Sequence, residues 1–119
     1  YGSAFSRAVE IHSAGFRQLI VSGTASIAPD GRTEHVDDVQ AQIGLTMEVV
    51  RAILESRAMH FADVSRATAY LKSPTDAPMF KHWLERHKLS GMPVVLAACD
   101  ICRDDLLFEI ELDAIQATD

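Results

Sequence analysis

The chain has 119 residues, 48% hydrophobic and 24% charged, a balance that excludes disorder and suits one domain able to bury a core without a metal or disulfide staple. Eleven Lys and Arg stand against 17 Asp and Glu for a formal net charge of −6, so a phosphate backbone is repelled and no nucleic acid is expected as a partner. The longest apolar stretch, Val94 to Cys99, is far shorter than the roughly 20 residues of a membrane helix, and no membrane partner is expected either.

The chain opens at Tyr1 without a methionine and without a basic-then-apolar export segment, so it reads as a processed, trimmed or excerpted piece. Phe5 to Ile11 alternates as a strand, and Ser13-Ala14-Gly15 turns it into a second apolar, β-branched run from Leu19 to Ile27, predicting a hairpin. Pro29-Asp30-Gly31 then breaks the chain. From Asp37 to about Ser56, Val39, Ile43, Met47 (or Thr46), Val50 and Ile53/Leu54 recur every three or four positions, which predicts an amphipathic helix with Asp37 and Asp38 in its first turn.

Asp63 to Lys72 reads as a third strand, and Ser73-Pro74-Thr75 as the entrance to a second helix carrying Phe80, Trp83, Leu84 and His87. Ser90-Gly91 and Pro93 should close that helix. Val94 to Cys102 is the next strand, Arg103-Asp104-Asp105 a tight polar turn, and Leu106 to Ile115 the last strand. The order β-β-α-β-α-β-β predicts an α+β fold, a mixed sheet with both helices on one face. The opposite face carries apolar residues with no helix in the chain to cover them, so another copy of the sheet is expected to do so.

Chemistry-bearing residues are few. Cys99 and Cys102 form a C-x-x-C spacing, but on a strand residues three apart point to opposite faces, so the pair reads as two reduced thiols of a cytoplasmic protein and not as a disulfide or a metal site. The five histidines show no metal-ligand spacing, and no metal and no cofactor is expected. In the last strand Glu109, Glu111 and Asp113 share one face at period two. An acidic row is ordinarily a solvated face, but in an oligomer interface a carboxylate is partly desolvated and suited to general acid or base work. Ser22-Gly23-Thr24-Ala25-Ser26 ends the second strand with small residues, where a ligand can approach the backbone and Ser22 or Thr24 can donate a hydrogen bond.

The string Leu19-Ile20-Val21-Ser22-Gly23-Thr24-Ala25-Ser26-Ile27, then Gly31, the Asp37/Asp38-to-Gln42 helix start, Pro93 and the closing Phe108-Glu109-Ile110-Glu111, resembles the RidA/YjgF family of reactive-intermediate deaminases, also called endoribonuclease L-PSP-like, over nearly the whole chain. The resemblance implies a chorismate-mutase-like fold and a homotrimer with a barrel-like centre. It also implies a cleft for a small-molecule metabolite at each subunit interface. By the same resemblance Glu109 is the catalytic residue that positions water, and Ser22 and Gly23 line the pocket. The family's carboxylate-gripping arginine is replaced by Val95, and its tyrosine before the first strand by Phe5. Losing a charge-assisted clamp weakens binding of 2-imino acids, unless Arg7, Arg86 or Arg103 takes its place.

Tyr1-Gly2, Phe5, Arg7, the Val21 to Ser26 run and Cys102-Arg103-x-Asp105-Leu106-Leu107-x-Glu109 also resemble the C-terminal part of chorismatases. That likeness implies that Glu109 protonates the enolpyruvyl methylene of chorismate before water releases pyruvate, with Cys102 at the substrate. Three readings follow: an imine or enamine deaminase, a chorismatase-like hydrolase, and a ligand-binding trimer without catalysis.

Overall fold

A computed structural model describes residues 8–118. Phe5, expected to line the site, lies outside the described residues, as do Tyr1 and Arg7.

β1 (Ala8–Ser13) and β2 (Phe16–Ala25) form the expected antiparallel hairpin. Gly15 makes the turn at φ +88°, a conformation that a Cβ disfavours. Helix α1 (Val39–Ser56) buries Ile43, Met47, Val50, Ile53 and Leu54 as its periodicity requires. Its start differs from expectation, because the two carboxylates precede the first turn: Asp38 is the N-cap, its carboxylate accepting from Ala41 N at 3.0 Å, and Asp37 sits at φ +63°.

A short 3₁₀ turn (Phe61–Asp63) leads into β3 (Val64–Leu71), and a second (Pro74–Asp76) into α2 (Ala77–Arg86). Both helices end in the same way. The Met59 N–H reaches back to Leu54 O at 2.9 Å and the Leu89 N–H to Leu84 O at 2.7 Å, with Ala58 and Lys88 left-handed at φ +57° and +58°. These are Schellman closures built without glycine. Gly91, expected to stop α2, plays no part in the reversal.

β4 (Val94–Ala98) and β5 (Phe108–Ala117) complete one five-stranded sheet in the order β1-β2-β5-β3-β4. Here the sequence reading needs correction. Residues 94–102 are not one strand, and Arg103-Asp104-Asp105 does not fold β5 back onto β4. β4 ends at Ala98 and pairs in parallel with β3, the arrangement a helical crossover permits. β5 lies on the other side of β3, antiparallel to both β3 and β2. The connection passes over the end of β3, where Cys99 N–H donates to Leu71 O and Lys72 N–H to Leu107 O, both at 3.1 Å.

One face of the sheet, with Leu19, Val21, Ala67, Ala69, Leu71, Phe108, Ile110, Leu112 and Ala114, forms a continuous core with α1 and α2. Alternation therefore puts Val9, Ile11, Phe16, Ile20, Ile115 and Val95 on the helix-free face, where all six remain exposed. No helix among the described residues is long and apolar enough to cross a membrane.

Candidate functional site

The acidic row of β5 resolves into three different environments on the helix-free face. Asp113 accepts from Arg66 Nε at 3.2 Å and from Gln18 Nε2 at 3.3 Å, a pair of cross-strand contacts that hold the sheet together. Glu111 accepts from the Tyr70 hydroxyl at 3.0 Å. Glu109 faces Ala25 on β2 and Tyr70 on β3 in the strand register, and its carboxylate lies over Gly23.

That approach depends on a break in β2. Val21 pairs with Leu112 and Thr24 with Ile110, so Ser22 and Gly23 together oppose the single residue Glu111 in a β-bulge. A Cβ on Gly23 would sit 3.1 Å from Glu109 Cδ and Oε1 and 3.4 Å from Oε2. Glycine is thus required here for clearance, not for a left-handed backbone. Thr24, which sequence alone offered as a ligand donor, is buried on the core side, and its hydroxyl donates to Ser22 O at 2.9 Å. It shapes the bulge.

Ser22 is exposed beside Gly23. Val95, at the place of the missing arginine, is 66% exposed on the same face, paired with Thr68, two residues before Tyr70. Cys102 is exposed in the connection between β4 and β5, outside any strand, so the argument from opposite strand faces does not apply to it; both thiols are nonetheless unpaired. Of the arginines considered as replacements for the clamp, Arg86 closes the last turn of α2 and Arg103 donates to Gly31 O at 2.5 Å. Among the described residues, Arg66 on β3 places a cation on the helix-free face, bound to Asp113.

Tyr70 is the site residue that sequence reasoning missed. Its hydrogen bond to Glu111, together with partial burial and the nearby carboxylates and Cys99, holds its phenol above the usual value of 10.0, so it remains a hydrogen-bond donor across the neutral and mildly alkaline range. The alternation Arg66-Thr68-Tyr70 against Ala67-Ala69-Leu71 marks the polar face of β3 in the sequence, but the partner on β5 appears only with the register. Among the described residues no three His, Cys, Asp or Glu side chains converge as metal ligands.

The family model of endoribonuclease L-PSP matches residues 3–116. Among solved structures, a chorismatase superposes with a TM-score of 0.79 at 27% identity, over 92% of this chain. The chain spans only 36% of that enzyme's length. RidA from the Antarctic bacterium Psychrobacter sp. superposes with a TM-score of 0.78 at 18% identity, covering 94% of this chain and 88% of that one. TdcF from E. coli, solved with bound serine, gives 0.74 at 21%, covering 96% and 89%. A comparison with curated protein sequences gives no match. With the family model matched over residues 3–116 and the fold shared with the RidA structure, this chain belongs to the endoribonuclease L-PSP family, the RidA/YjgF proteins.

Proposed function

We propose that residues 1–119 form one RidA-like domain that assembles as a homotrimer and hydrolyses a small enamine or imine, with Glu109 as the catalytic residue. The observation that carries this reading is the Glu109 carboxylate seated over Gly23 in the β2 bulge, on a sheet face that no helix among the described residues covers. Packing that face against other copies would bury Val9, Ile11, Ile20 and Ile115 and enclose the carboxylate in an interfacial pocket. Ser22, Gly23, Phe5, Val95 and Cys102 are its proposed lining. The two unpaired thiols suit a reducing, cytoplasmic setting.

In this mechanism Glu109 accepts a proton from water as the oxygen attacks the imine carbon and returns it to the nitrogen; the hydroxyl proton of the resulting carbinolamine then passes through the same carboxylate to the nitrogen, the C–N bond breaks, and ammonia leaves as the carbonyl forms. Tyr70, whose single O–H is donated to Glu111, fixes that neighbouring carboxylate beside Glu109.

A second reading is favoured by the 27% identity with chorismatase and by Val95. There Glu109 protonates the methylene of an enolpyruvyl ether, water adds to the resulting cationic carbon and returns a proton to Glu109, and the hemiketal's C–O bond breaks as its hydroxyl proton passes to the departing alcohol oxygen, releasing pyruvate. The deciding experiment compares ammonia release from 2-aminoacrylate with pyruvate release from chorismate, in wild type, Glu109→Gln and Val95→Arg. Imine hydrolysis that Glu109→Gln lowers by about 10²–10⁴, and that Val95→Arg raises, supports the first reading. Turnover of chorismate alone supports the second. Full activity in Glu109→Gln refutes both.

A further inference from the structure

We infer that Gln42 is a positioning residue for Glu109, acting from inside the core through the segment that leads into β5. Gln42 lies on the buried face of α1 with no exposed surface, in a stripe with Ile43, Thr46, Met47 and Val50. A buried amide is costly unless its hydrogen bonds are made. Here all are made, and to backbone. Gln42 Nε2 donates to Asp105 O at 2.9 Å and to His35 O at 3.2 Å, and its Oε1 accepts from Leu107 N–H at 2.8 Å.

Leu107 is the residue before β5 begins, and Glu109 is the second residue of that strand. The Leu107 carbonyl is held from the other side by Lys72 N–H at 3.1 Å, and the Asp105 carboxylate accepts from Thr33 Oγ1 at 2.8 Å. Strand ends fray, and the long connection from β4 would leave this one loose, so the start of β5 is set by these anchors. Gln42 is the anchor rooted in a helix. The clearance between Glu109 and Gly23 leaves little slack, so a displacement of Leu107 reaches the carboxylate.

The inference rests on the proposed role of Glu109, and its test separates the two. Gln42→Met keeps the side-chain length and removes all three hydrogen bonds. In the folded variant, well below its unfolding temperature, Leu107 amide protection should fall and the Glu109 carboxyl ¹³C resonance should move. The kcat for the preferred substrate should drop about 10- to 100-fold, as small misplacements of reacting groups do, with KM little changed. Gln42→Glu, whose buried acid stays protonated, can still accept from Leu107 and donate to Asp105, and should recover part of both signals. A folded Gln42→Met with unchanged Glu109 resonance and unchanged kcat overturns the inference. A wild type that turns over neither imine nor chorismate sinks the functional reading instead, and the resonance then decides the positioning alone. Should the Met variant not fold, Gln42→Glu carries the same readouts against wild type.

Discussion

Glu109 on β5 and Gly23 on β2 meet so closely that the space a Cβ would occupy at position 23 is already in contact with the carboxylate, 3.1 Å from its carbon. The contact exists because the bulge at Ser22-Gly23 places an extra residue opposite Glu111 and turns the glycine toward the carboxylate one pair along. A flat, regular ladder would have separated them.

Gly23→Ala should therefore lower activity with little loss of stability. The backbone at position 23 is not left-handed, and the neighbour is the end of a side chain that can yield by a few tenths of an ångström. A shift of that size in a reacting carboxylate should cost about 10-fold in kcat, against about 100-fold for a full ångström. Steady-state kinetics beside thermal melting checks this; wild-type kcat in the variant would mean that the contact does not set the carboxylate.

Tyr70→Phe should flatten the alkaline limb of the stability curve. The hydrogen bond to Glu111, then burial and neighbouring negative charge, raise the phenol pKa above 10.0 in the folded chain. Above pH 10 the folded state thus holds a proton that the unfolded state has lost, so stability falls as pH rises through that window. Urea unfolding at pH 9 and pH 11 should show a smaller drop in Tyr70→Phe than in wild type. Equal drops would disconnect the phenol from the fold's pH response.

Ala58→Gly and Lys88→Gly should each stabilise the fold by about 0.5–1 kcal/mol. Both residues close a helix at positive φ, where an L side chain is strained and glycine is not. Arg17 and Gln116 bind the carbonyl of Ala58, a contact that glycine retains. Denaturant midpoints will test this, and a loss of stability in both would contradict the Schellman assignment.

Ile20→Glu should convert the proposed trimer to monomer while leaving the helix-side core intact. Ile20 lies between Val9 and Asp113 in the middle of the exposed apolar face, pointing away from α1 and α2. Each such side chain removed from water contributes about 1.5–3 kcal/mol, and a carboxylate in its place reverses the sign. Sedimentation at micromolar concentration measures the outcome. A monomeric wild type would remove the interfacial pocket.

The local elements were legible in the sequence because each is written in a short window. The repeat of Ile43, Met47, Val50 and Ile53 specifies one face of a helix, and the alternation of Phe108, Ile110, Leu112 and Ala114 with Glu109, Glu111 and Asp113 specifies the two faces of a strand. The order of the elements, with two helices for one sheet, pointed to a face without a helix. What only the tertiary structure decided was which strand lies beside which. Arg103-Asp104-Asp105 has the composition of a hairpin turn, yet its residues are engaged elsewhere: Arg103 with Gly31, Asp105 with Thr33, and the Asp104 carbonyl with Lys72 Nζ. β5 enters between β2 and β3 because only there are both of its edges paired and its apolar face covered by α1. Those contacts join residues far apart in the chain, and no local pattern encodes them. The bulge at Ser22-Gly23, the Tyr70–Glu111 pair and the seat of Glu109 over Gly23 follow from that register alone.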